Sequence, residues 1–255
     1  MAEPTADGGA LGPRSTTVRR LRRLAGRRSA RYDDRLLLVE GVVLVAEAVR
    51  AGWRVVDCVA EEHAPDADRL MTEYGVVPTL VTATALAAIA TTETPQPVVA
   101  TFEMPTRVLP AGGMLVVVDR MADPGNLGTV IRSAEAAGAT AVVVTPGTTD
   151  WSAPKVVRAS AGAVFHVPVV EATLDDLHMA RWRLIGTSSH RGESYRVAVP
   201  GDRDAIVIGN EAHGLDEDAP IDVWVQIEHR GRSESLNAAM AATLLCFHWA
   251  GELPA

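Results

Sequence analysis

The sequence predicts an α/β fold with two domains, the second built on a mostly parallel sheet. Apolar runs alternate with helical stretches along the chain, and proline and glycine at residues 105–113 divide this alternation into two series. The run Met114–Asp119 is almost continuously apolar, as in a strand buried on both faces. With 255 residues, 47% of them hydrophobic, the chain is long enough for two domains that each have a core.

The first half contains a tail and the smaller domain. Residues 1–13 are rich in glycine, alanine and proline and are predicted to be a disordered tail; residues 14–107 are assigned to the domain. A basic helix is expected over residues 15–30. After it, strands are expected over Leu36–Val39, Arg54–Ala60, Val76–Val81 and Val98–Phe102, and helices over Val42–Ala51, Asp66–Tyr74 and Thr82–Ala90.

The second half, residues 108–255, alternates in the same way. Because strands separated by helices usually pair in parallel, a mostly parallel sheet is expected here. The predicted strands are Met114–Asp119, Ala141–Thr145, Val164–Val169, Arg183–Thr187, Ala205–Ile208 and Val223–Ile227. The predicted helices are Asn126–Ala137, Ala153–Ser160 and a long final helix, Glu234–Trp249.

The charge of the chain is unevenly distributed. The net charge of −8 by itself argues against a nucleic-acid partner, but residues 14–35 carry a local charge of +7. Contact with phosphates needs only a local basic patch, because salt screens charges beyond about 10 Å. Three interpretations stay open for this segment: an organelle transit peptide, a solvated basic tail, or an RNA-binding surface carried by Arg19, Arg20, Arg22 and Arg23.

Composition disfavours several other classes of protein. No apolar run approaches the length of a membrane span, and no apolar segment follows the basic start, so neither a membrane helix nor a secretory signal is expected. Cys58 and Cys246 lie far apart and suggest no disulfide framework, which favours the cytoplasm. The seven histidines lack paired metal-ligand spacing, so no metal site is expected.

Three glycine-containing segments follow predicted strands, where open α/β sheets bind ligands. The first is Asp123–Gly128, followed by a helix that contains Arg132. Its glycines permit tight turns and close backbone approach, and Asn126 is a candidate helix cap. The G-x-G-x-x-G spacing of a dinucleotide-binding loop is absent. For Arg132, the alternative to a functional role is a surface ion pair with Glu135.

The other two segments are Gly209–Gly214 and Gly231–Asn237. In the second segment, Glu211 is a candidate functional residue, and the alternative is a position in a first helical turn, where the helix dipole favours an acid. In the third, the alternative is that Ser233 or Ser235 only caps the last helix. Each segment by itself is weak evidence for a functional site. Stronger evidence comes from the order and the spacing of the three segments together.

Together the three segments resemble the motifs of the SpoU family, within the SPOUT superfamily of RNA methyltransferases. They resemble, in order, the N-x-G-x-x-x-R, N-E-x-x-G and S-L-N motifs. The matching residues are Asn126, Gly128 and Arg132; Asn210, Glu211 and Gly214; and Ser235, Leu236 and Asn237. The matching domain covers about residues 113–251. The chain departs from the family at Glu228 and His229, where members usually have a Pro-Met pair, a change expected to affect how the adenine packs.

The first domain is similar to the substrate-binding domain that many SpoU members carry, a smaller α/β domain with a ribosomal-protein-like fold. The stretches that match are Leu37–Gly41, Ala48–Gly52 and Thr94–Gln96. The resemblance also implies a trefoil knot in the C-terminal α/β domain, which nothing in the periodicity indicates.

The resemblance implies an RNA 2′-O-ribose methyltransferase that uses S-adenosylmethionine, with Arg132 as the catalytic residue. Because arginine stays protonated at neutral pH, Arg132 is expected to contact the 2′-hydroxyl or a nearby phosphate and to stabilise the developing alkoxide. Asn126 and Glu211 would orient Arg132 and the substrate, while Ser235 and Asn237 would hold the cofactor or the target nucleotide. The cofactor pocket, formed largely by backbone groups, is expected at Thr187, Ile208, Gly209, Asn210, Ile227 and Leu236.

The resemblance favours ribosomal RNA as the substrate, with antibiotic resistance among the roles of family members, and transfer RNA is the alternative. Two other classes are a catalytically silent RNA-binding protein of the same fold and a nucleotide-cofactor oxidoreductase. A homodimer is expected around the last helix, and the alternative is a helix buried in its own monomer. The apolar stripe of that helix is Leu236, Ala239, Met240, Thr243, Leu244 and Phe247.

Overall fold

The computed structural model describes residues 9–228, 231–232 and 235–251. The chain forms two compact units. One consists of the chain up to Thr106 together with Ser152–Arg158, and the other consists of Arg107–Trp151 with Ala159–Ala255. Each unit combines helices with a single sheet, so the predicted α/β fold is confirmed. Within the described residues, no helix is both long and apolar enough to cross a membrane.

The first unit contains a four-stranded sheet. The strands are β1 (Leu36–Glu40), β2 (Val55–Glu61), β3 (Thr79–Val81) and β4 (Val98–Glu103). Their order in the sheet is β1-β4-β2-β3. Strand β4 pairs antiparallel with β1 and β2, whereas β2 and β3 are parallel. The helices are α1 (Thr16–Gly26), α2 (Arg28–Asp34), α3 (Val42–Arg50), α4 (Pro65–Tyr74) and α5 (Ala83–Ile89). The buried face of α1 packs with α5 and the sheet, through Val18, Leu21, Leu24, Leu38, Val59, Leu86 and Ile89.

Two predictions for this unit need correction. The basic helix predicted over residues 15–30 is two helices, because the backbone leaves the helical conformation at Arg27, where φ is −130° and ψ is 119°. The predicted tail includes Leu11, which is buried and pairs with β3. The N–H of Leu11 donates to the carbonyl of Leu80 at 2.8 Å, and its own carbonyl accepts from Thr82 at 3.0 Å. The predicted disorder therefore does not extend to Leu11.

The second unit contains a seven-stranded parallel sheet, as predicted. Its strands are β5 (Gly113–Val118), β6 (Ala141–Val144), β7 (Val169–Glu171), β8 (Arg183–Ser188), β9 (Glu193–Ser194), β10 (Arg203–Ile208) and β11 (Val223–Gln226). Their order in the sheet is β7-β6-β5-β10-β8-β11-β9. The helices of this half of the chain are α6 (Pro124–Ala136), α7 (Pro154–Ala159), which is assigned mostly to the first unit, α8 (Leu174–Met179) and α9 (Ala238–Trp249).

The strand order reverses between β5 and β10. From β5 the sheet extends through β6 and β7 on one side, and from β10 it extends through β8, β11 and β9 on the other. Open α/β sheets bind ligands beyond the carboxyl ends of strands at such a reversal. The three motif segments leave the sheet at this edge, after β5, β10 and β11 respectively.

Two elements of the second unit differ from the prediction. The strand expected over residues 164–169 is wrong, since Ala163–Phe165 forms a single turn of 3-10 helix and the strand is β7. The last helix begins at Ala238 rather than Glu234, which lies outside the described residues. The helix begins there because the side chain of Asn237 accepts hydrogen bonds from two N–H groups of the first turn, at 2.9 and 3.2 Å.

Candidate active site

The residues of the first motif lie in α6, the helix that follows β5. Asp123, and not Asn126 as predicted, caps this helix, because its carboxylate accepts a 2.8 Å hydrogen bond from the N–H of Asn126, and Pro124 occupies the first turn. Gly128 permits close backbone approach, as predicted. A Cβ at this position would lie 2.4 Å from the Cβ of Ala159. Because Asp123 provides the cap, the side chain of Asn126 is available for contacts outside its own helix.

One chain of hydrogen bonds joins the three motifs. The amide nitrogen of Asn126 donates to the carboxylate of Glu211 at 3.1 Å, and the amide nitrogen of Asn237 donates to the amide oxygen of Asn126 at 3.1 Å. Glu211 also accepts hydrogen bonds from the N–H groups of Ala122 and Asp123, both at 3.2 Å. One side chain from each motif thus contributes to a single polar cluster.

Opposing effects act on the carboxyl group of Glu211. Partial burial raises its pKa, whereas the hydrogen bonds from Asn126 and from nearby backbone N–H groups lower it. The hydrogen bonds together prevail, and the pKa lies below its ordinary value. Glu211 is therefore a carboxylate at neutral pH, which suits an acceptor that fixes the loop before α6.

The second motif forms a closed turn. The N–H of Asn210 donates to the carbonyl of Gly214 at 3.1 Å, and the reverse bond measures 2.9 Å. A Cβ at Gly209 would lie 2.4 Å from the carbonyl carbon of Gly214, so the turn packs onto Gly209 itself. The side chain of Asn210 donates to the carbonyl of Arg120 at 2.8 Å. Because a turn and not a helix follows β10, the alternative in which Glu211 occupies a first helical turn is wrong.

Arg132 lies in α6 with an exposed side chain. Its guanidinium makes no hydrogen bond or ion pair with any described residue, so the surface pair with Glu135 is not formed. Asn126 and Glu211, which were expected to orient Arg132, bond to each other instead. Arg132 is thus a cation whose guanidinium is open to a partner from outside the chain.

A cleft of about 540 Å³ opens beside the polar cluster. Its walls come from the ends of β8, β10 and β11, from the second motif and from the start of α9. All six residues predicted for the cofactor pocket line it, and so do Glu211 and Ser235. The six are Thr187, Ile208, Gly209, Asn210, Ile227 and Leu236. Asn126, Arg132 and Asn237 are not part of its wall.

Comparison with known proteins identifies the family. The model of the SpoU rRNA methylase family matches residues 113–247, which is more than half of the chain. The chain belongs to this family. The model of the MRM3-like substrate-binding domain matches residues 15–100. The family and the N-terminal substrate-binding domain inferred from the sequence are both confirmed.

Individual relatives agree with this assignment. The chain is 34% identical over 229 residues to the 23S rRNA (guanosine(2553)-2′-O)-methyltransferase RlmP of Bacillus subtilis (strain 168), covering 87% of this chain and 91% of that protein. It resembles the AdoMet-bound rRNA methyltransferase from Sinorhizobium meliloti, with a TM-score of 0.81 and 28% identity, over 96% of this chain and 99% of that one. It also resembles the SpoU methyltransferase AviRb from Streptomyces viridochromogenes, in complex with AdoMet. Here the TM-score is 0.81 and the identity 29%, over 94% of this chain and 98% of that one. The trefoil knot that the sequence resemblance implies stays a prediction.

In this SpoU protein, two cleft residues were missed by the sequence analysis. Arg191 follows β8 and its guanidinium lies over the indole ring of Trp224, with 3.4 Å from Cζ to the ring centroid. Neither residue belongs to a motif. The only signal was position, since Arg191 follows β8 and Trp224 lies in β11, and these two paired strands lead to the same edge of the sheet. Of the residues that depart from the family pattern, Glu228 is exposed, and His229 lies outside the described residues.

The four predicted RNA-binding arginines of this SpoU protein lie in the first unit and fall into two pairs, which differ in whether the side chain forms an ion pair. Arg20 and Arg23 form ion pairs at 3.0 and 2.5 Å, with Asp57 and Asp34 respectively. Arg19 and Arg22 are exposed, and their guanidinium groups make no hydrogen bond or ion pair with any described residue. Only the second pair is therefore open to phosphate without breaking an existing contact.

A buried carboxylate joins two stretches that carried the resemblance of the first unit. Glu40, at the end of β1, is 3% exposed. It accepts hydrogen bonds from the N–H groups of Thr91 and Gln96 at 3.0 and 3.3 Å, and from the hydroxyls of Thr91 and Thr92 at 2.6 Å each. Glu40 therefore fixes the loop between α5 and β4 against the end of β1.

Neither cysteine is suited to nucleophilic chemistry. Both are free and buried, and burial raises the pKa of each thiol to about 12. In the part of the chain that the structure describes, no three His, Cys, Asp or Glu side chains are grouped so that they could hold a metal ion. The polar side chains of the described cleft are arginine, carboxylate, amide, hydroxyl and imidazole groups.

Proposed function

We propose that this SpoU protein transfers a methyl group from S-adenosylmethionine to the 2′-hydroxyl of a ribose in ribosomal RNA. The observation that carries the proposal is the meeting of Asn126, Glu211 and Asn237 in one polar cluster beside the cleft. This cluster unites the three family motifs, which are far apart in sequence. The protein is an RNA 2′-O-methyltransferase, and S-adenosylmethionine is its cofactor.

The cleft fits this cofactor in size and chemistry. Its volume of about 540 Å³ lies within the range usual for small-molecule sites. Gly209, Ile227 and Leu236 line it, and their backbone groups make no hydrogen bond to any other described residue, so these donors and acceptors are open to a ligand. Ile208 and Leu245 supply apolar wall. When bound, S-adenosylmethionine supplies an electrophilic methyl group on a sulfonium.

The residues of the chain then have to position and activate the ribose. We assign this role to Arg132, because it is exposed and has no partner among the described residues. Its guanidinium would contact the 2′-hydroxyl or a neighbouring phosphate and stabilise negative charge as the hydroxyl loses its proton to solvent. The ribose oxygen would then bond to the methyl carbon, and S-adenosylhomocysteine would leave with the electrons of the broken carbon–sulfur bond. Glu211, Asn126 and Asn237 would hold the three loops in register, and Ser235 would contact the cofactor or the target nucleotide from the cleft wall.

The RNA is 23S rRNA in this proposal, since RlmP, which the chain matches over 91% of its length, is named as a 23S rRNA enzyme. Such a substrate places the protein in the cytoplasm. Mapping of 2′-O-methyl groups in total RNA, with and without the gene, tests this. Loss of one ribose methyl from 23S rRNA is expected. Loss of a transfer RNA methyl instead would identify the alternative substrate, and an unchanged map with intact RNA binding would identify a silent family member.

The first unit is proposed to bind the RNA before catalysis. Its match to a substrate-binding domain covers residues 15–100, which include α1 with the exposed Arg19 and Arg22. Two positive charges one helical turn apart suit consecutive phosphates. Arg20 and Arg23, which pair with aspartates, are more suited to fastening α1 to its own unit.

We also propose a homodimer built on α9. One side of this helix is buried in its own unit, through Ala239, Ala242, Leu245, Cys246 and Trp249, and Thr243 bonds to Ser133 at 2.7 Å. Part of the predicted apolar stripe thus already packs within the monomer. Met240, which is 59% exposed, and the partly exposed Leu244 and Phe247 form a second apolar face at i, i+4 and i+7 spacing. A second copy would bury that face, and two-fold pairing is the commonest arrangement.

A further inference from the structure

The loop after β8 holds an arginine in a fixed position on the cleft wall. The guanidinium carbon of Arg191 lies 3.4 Å from the centroid of the Trp224 ring, and both residues line the cleft. Arg191 makes no hydrogen bond or ion pair with any described residue. Stacking occupies the face of the guanidinium and leaves its N–H edge available to an acceptor.

Backbone packing fixes this loop on β11. At Gly192 φ is +107°, and a Cβ there would lie 2.4 Å from the carbonyl oxygen of Trp224, so only glycine fits without displacement. The next two residues form β9, which pairs in parallel with Val225 and Gln226. Arg191 is therefore placed beside the cleft before any ligand arrives, which reduces the ordering that binding requires.

The charges of the cleft wall are few and unequal in their availability. Among the described residues that line the cleft, Arg191 is the only arginine or lysine, and Glu211 and Glu217 are the acids. Glu211 is occupied by Asn126 and the backbone of the first motif. Glu217 is exposed and makes no hydrogen bond or ion pair with any described residue. The wall thus offers one available cation and one available carboxylate.

We propose that Arg191 binds the α-carboxylate of the methionine part of the cofactor. The inference rests on the proposed function, because it assumes that the cleft takes S-adenosylmethionine. A planar guanidinium edge matches a carboxylate, and such charge-assisted bonds are among the stronger ones in proteins. Glu217 would complement the adjacent α-ammonium. Arg191 is then the residue by which the cleft distinguishes a nucleoside that carries an amino acid from one that does not.

A ligand comparison on the full chain tests this directly. Calorimetry would measure the affinity for S-adenosylhomocysteine and for 5′-methylthioadenosine, which keeps the nucleoside thioether but lacks the amino acid. Arg191→Gln should weaken S-adenosylhomocysteine about tenfold or more and leave 5′-methylthioadenosine unchanged. The matched control is Arg196→Gln, an exposed arginine of the same segment that lies over Tyr195 and does not line the cleft, and it should change neither affinity.

A second comparison changes the ligand as well as the protein. The wild-type protein should lose a similar factor of affinity when the carboxylate of S-adenosylhomocysteine is removed, and Arg191→Gln should lose nothing further. Equal weakening of both ligands by Arg191→Gln would overturn the proposal, as would unchanged affinities together with weaker binding of a ribosomal RNA fragment, which would make Arg191 a phosphate contact. If the wild-type protein bound no S-adenosylhomocysteine at all, the proposed function itself would fail.

Discussion

Asn126 and Glu211 are joined by a 3.1 Å hydrogen bond although 85 residues separate them. The same Asn126 accepts from Asn237 with its amide oxygen, also at 3.1 Å. A primary amide donates with nitrogen and accepts with oxygen, so asparagine satisfies a carboxylate on one side and an amide donor on the other. Aspartate in its place would have no donor for Glu211 and would add a like charge beside it. The residue type of the first motif thus follows from its two neighbours.

Arg132→Ala is expected to abolish methylation while leaving cofactor affinity nearly unchanged. Arg132 does not line the cleft, and its guanidinium makes no hydrogen bond or ion pair with another described residue, so loss of this side chain should disturb neither the pocket nor the fold. A loss of one transition-state contact of this kind lowers turnover about 100-fold or more. Single-turnover methylation and S-adenosylhomocysteine titration measure the two effects separately.

The control for Arg132 is Glu135→Gln, which removes an exposed charge one turn further along α6. It should keep both turnover and cofactor affinity. Near-normal methylation by Arg132→Ala would remove this residue from the mechanism, and equal losses in the control would point to the charge of the helix as a whole.

Acidification should weaken the hydrogen bonds by which Glu211 joins the first and second motifs. The pKa of Glu211 is lowered in the folded protein, from the ordinary 4.5, by hydrogen bonds that outweigh the effect of burial. Its stabilising contribution is therefore fully present above the unfolded-state pKa and is lost as pH falls through the lower, folded-state pKa. The difference in Tm between wild type and Glu211→Gln should be constant near neutral pH and should shrink below about pH 4.5. A difference that grows on acidification would contradict this.

Gly128→Ala should destabilise the second unit, although alanine normally favours a helix over glycine by about 1 kcal/mol. The added Cβ would lie 2.4 Å from the Cβ of Ala159 and 2.8 Å from its carbonyl carbon, so the backbone has to move. Overpacking of this kind typically costs about 1–3 kcal/mol. Gly26→Ala is the matched control, because nothing lies within 4 Å of a Cβ there. The Tm of both variants, from thermal unfolding, tests this prediction. A Tm of Gly128→Ala at or above that of wild type would show that the neighbouring segment moves to accept the added methyl group at little cost.

The parts of the site that the sequence predicted are those that depend on local chemistry. Glycines and polar side chains directly after apolar strands marked the second motif, and Gly209 and Asn210 do line the cleft. The parts of the site that the sequence could not predict are those that depend on contacts between residues far apart in the chain. Asp123 and Asn126 are both good helix caps, and only the position of Glu211 shows why Asn126 is used elsewhere.

The errors in the fold have similar causes. Residues 164–169 are mostly apolar, and a short apolar run does not distinguish a strand from a turn of buried helix. The two missed elements are short: α8 has six residues and β9 has two. For α8 a signal was present, since Thr173 and Asp176 have the spacing of a capping box, which the structure contains. For β9 none was present, because its pairing with β11 is set by the backbone packing at Gly192.

The four arginines of α1 should separate into two functional pairs. Replacing the exposed pair, Arg19 and Arg22, with glutamine should weaken RNA binding and reduce the slope of log affinity against log salt by roughly one to two, as expected for two lost phosphate contacts. Replacing Arg20 and Arg23, which pair with aspartates, should change that slope less and lower Tm slightly. Filter binding at several salt concentrations measures the slope. If both double variants reduced it equally, the ion pairs would not protect Arg20 and Arg23 from phosphate.

The last prediction concerns assembly through α9. Leu244→Glu with Phe247→Glu would place two charges on the apolar face that remains after α9 has packed on its own unit, so a dimer built there should dissociate. Because both side chains are only partly exposed, the milder Met240→Glu, at a position that is 59% exposed, separates loss of assembly from loss of folding. We expect a folded monomer by light scattering and circular dichroism, with little methylation, since the family resemblance places the active site at the subunit interface. Val199→Glu, at an exposed apolar position of the same unit outside α9, is the control and should remain dimeric. A wild-type protein that is monomeric at micromolar concentration and fully active would refute both the dimer and its role in the site.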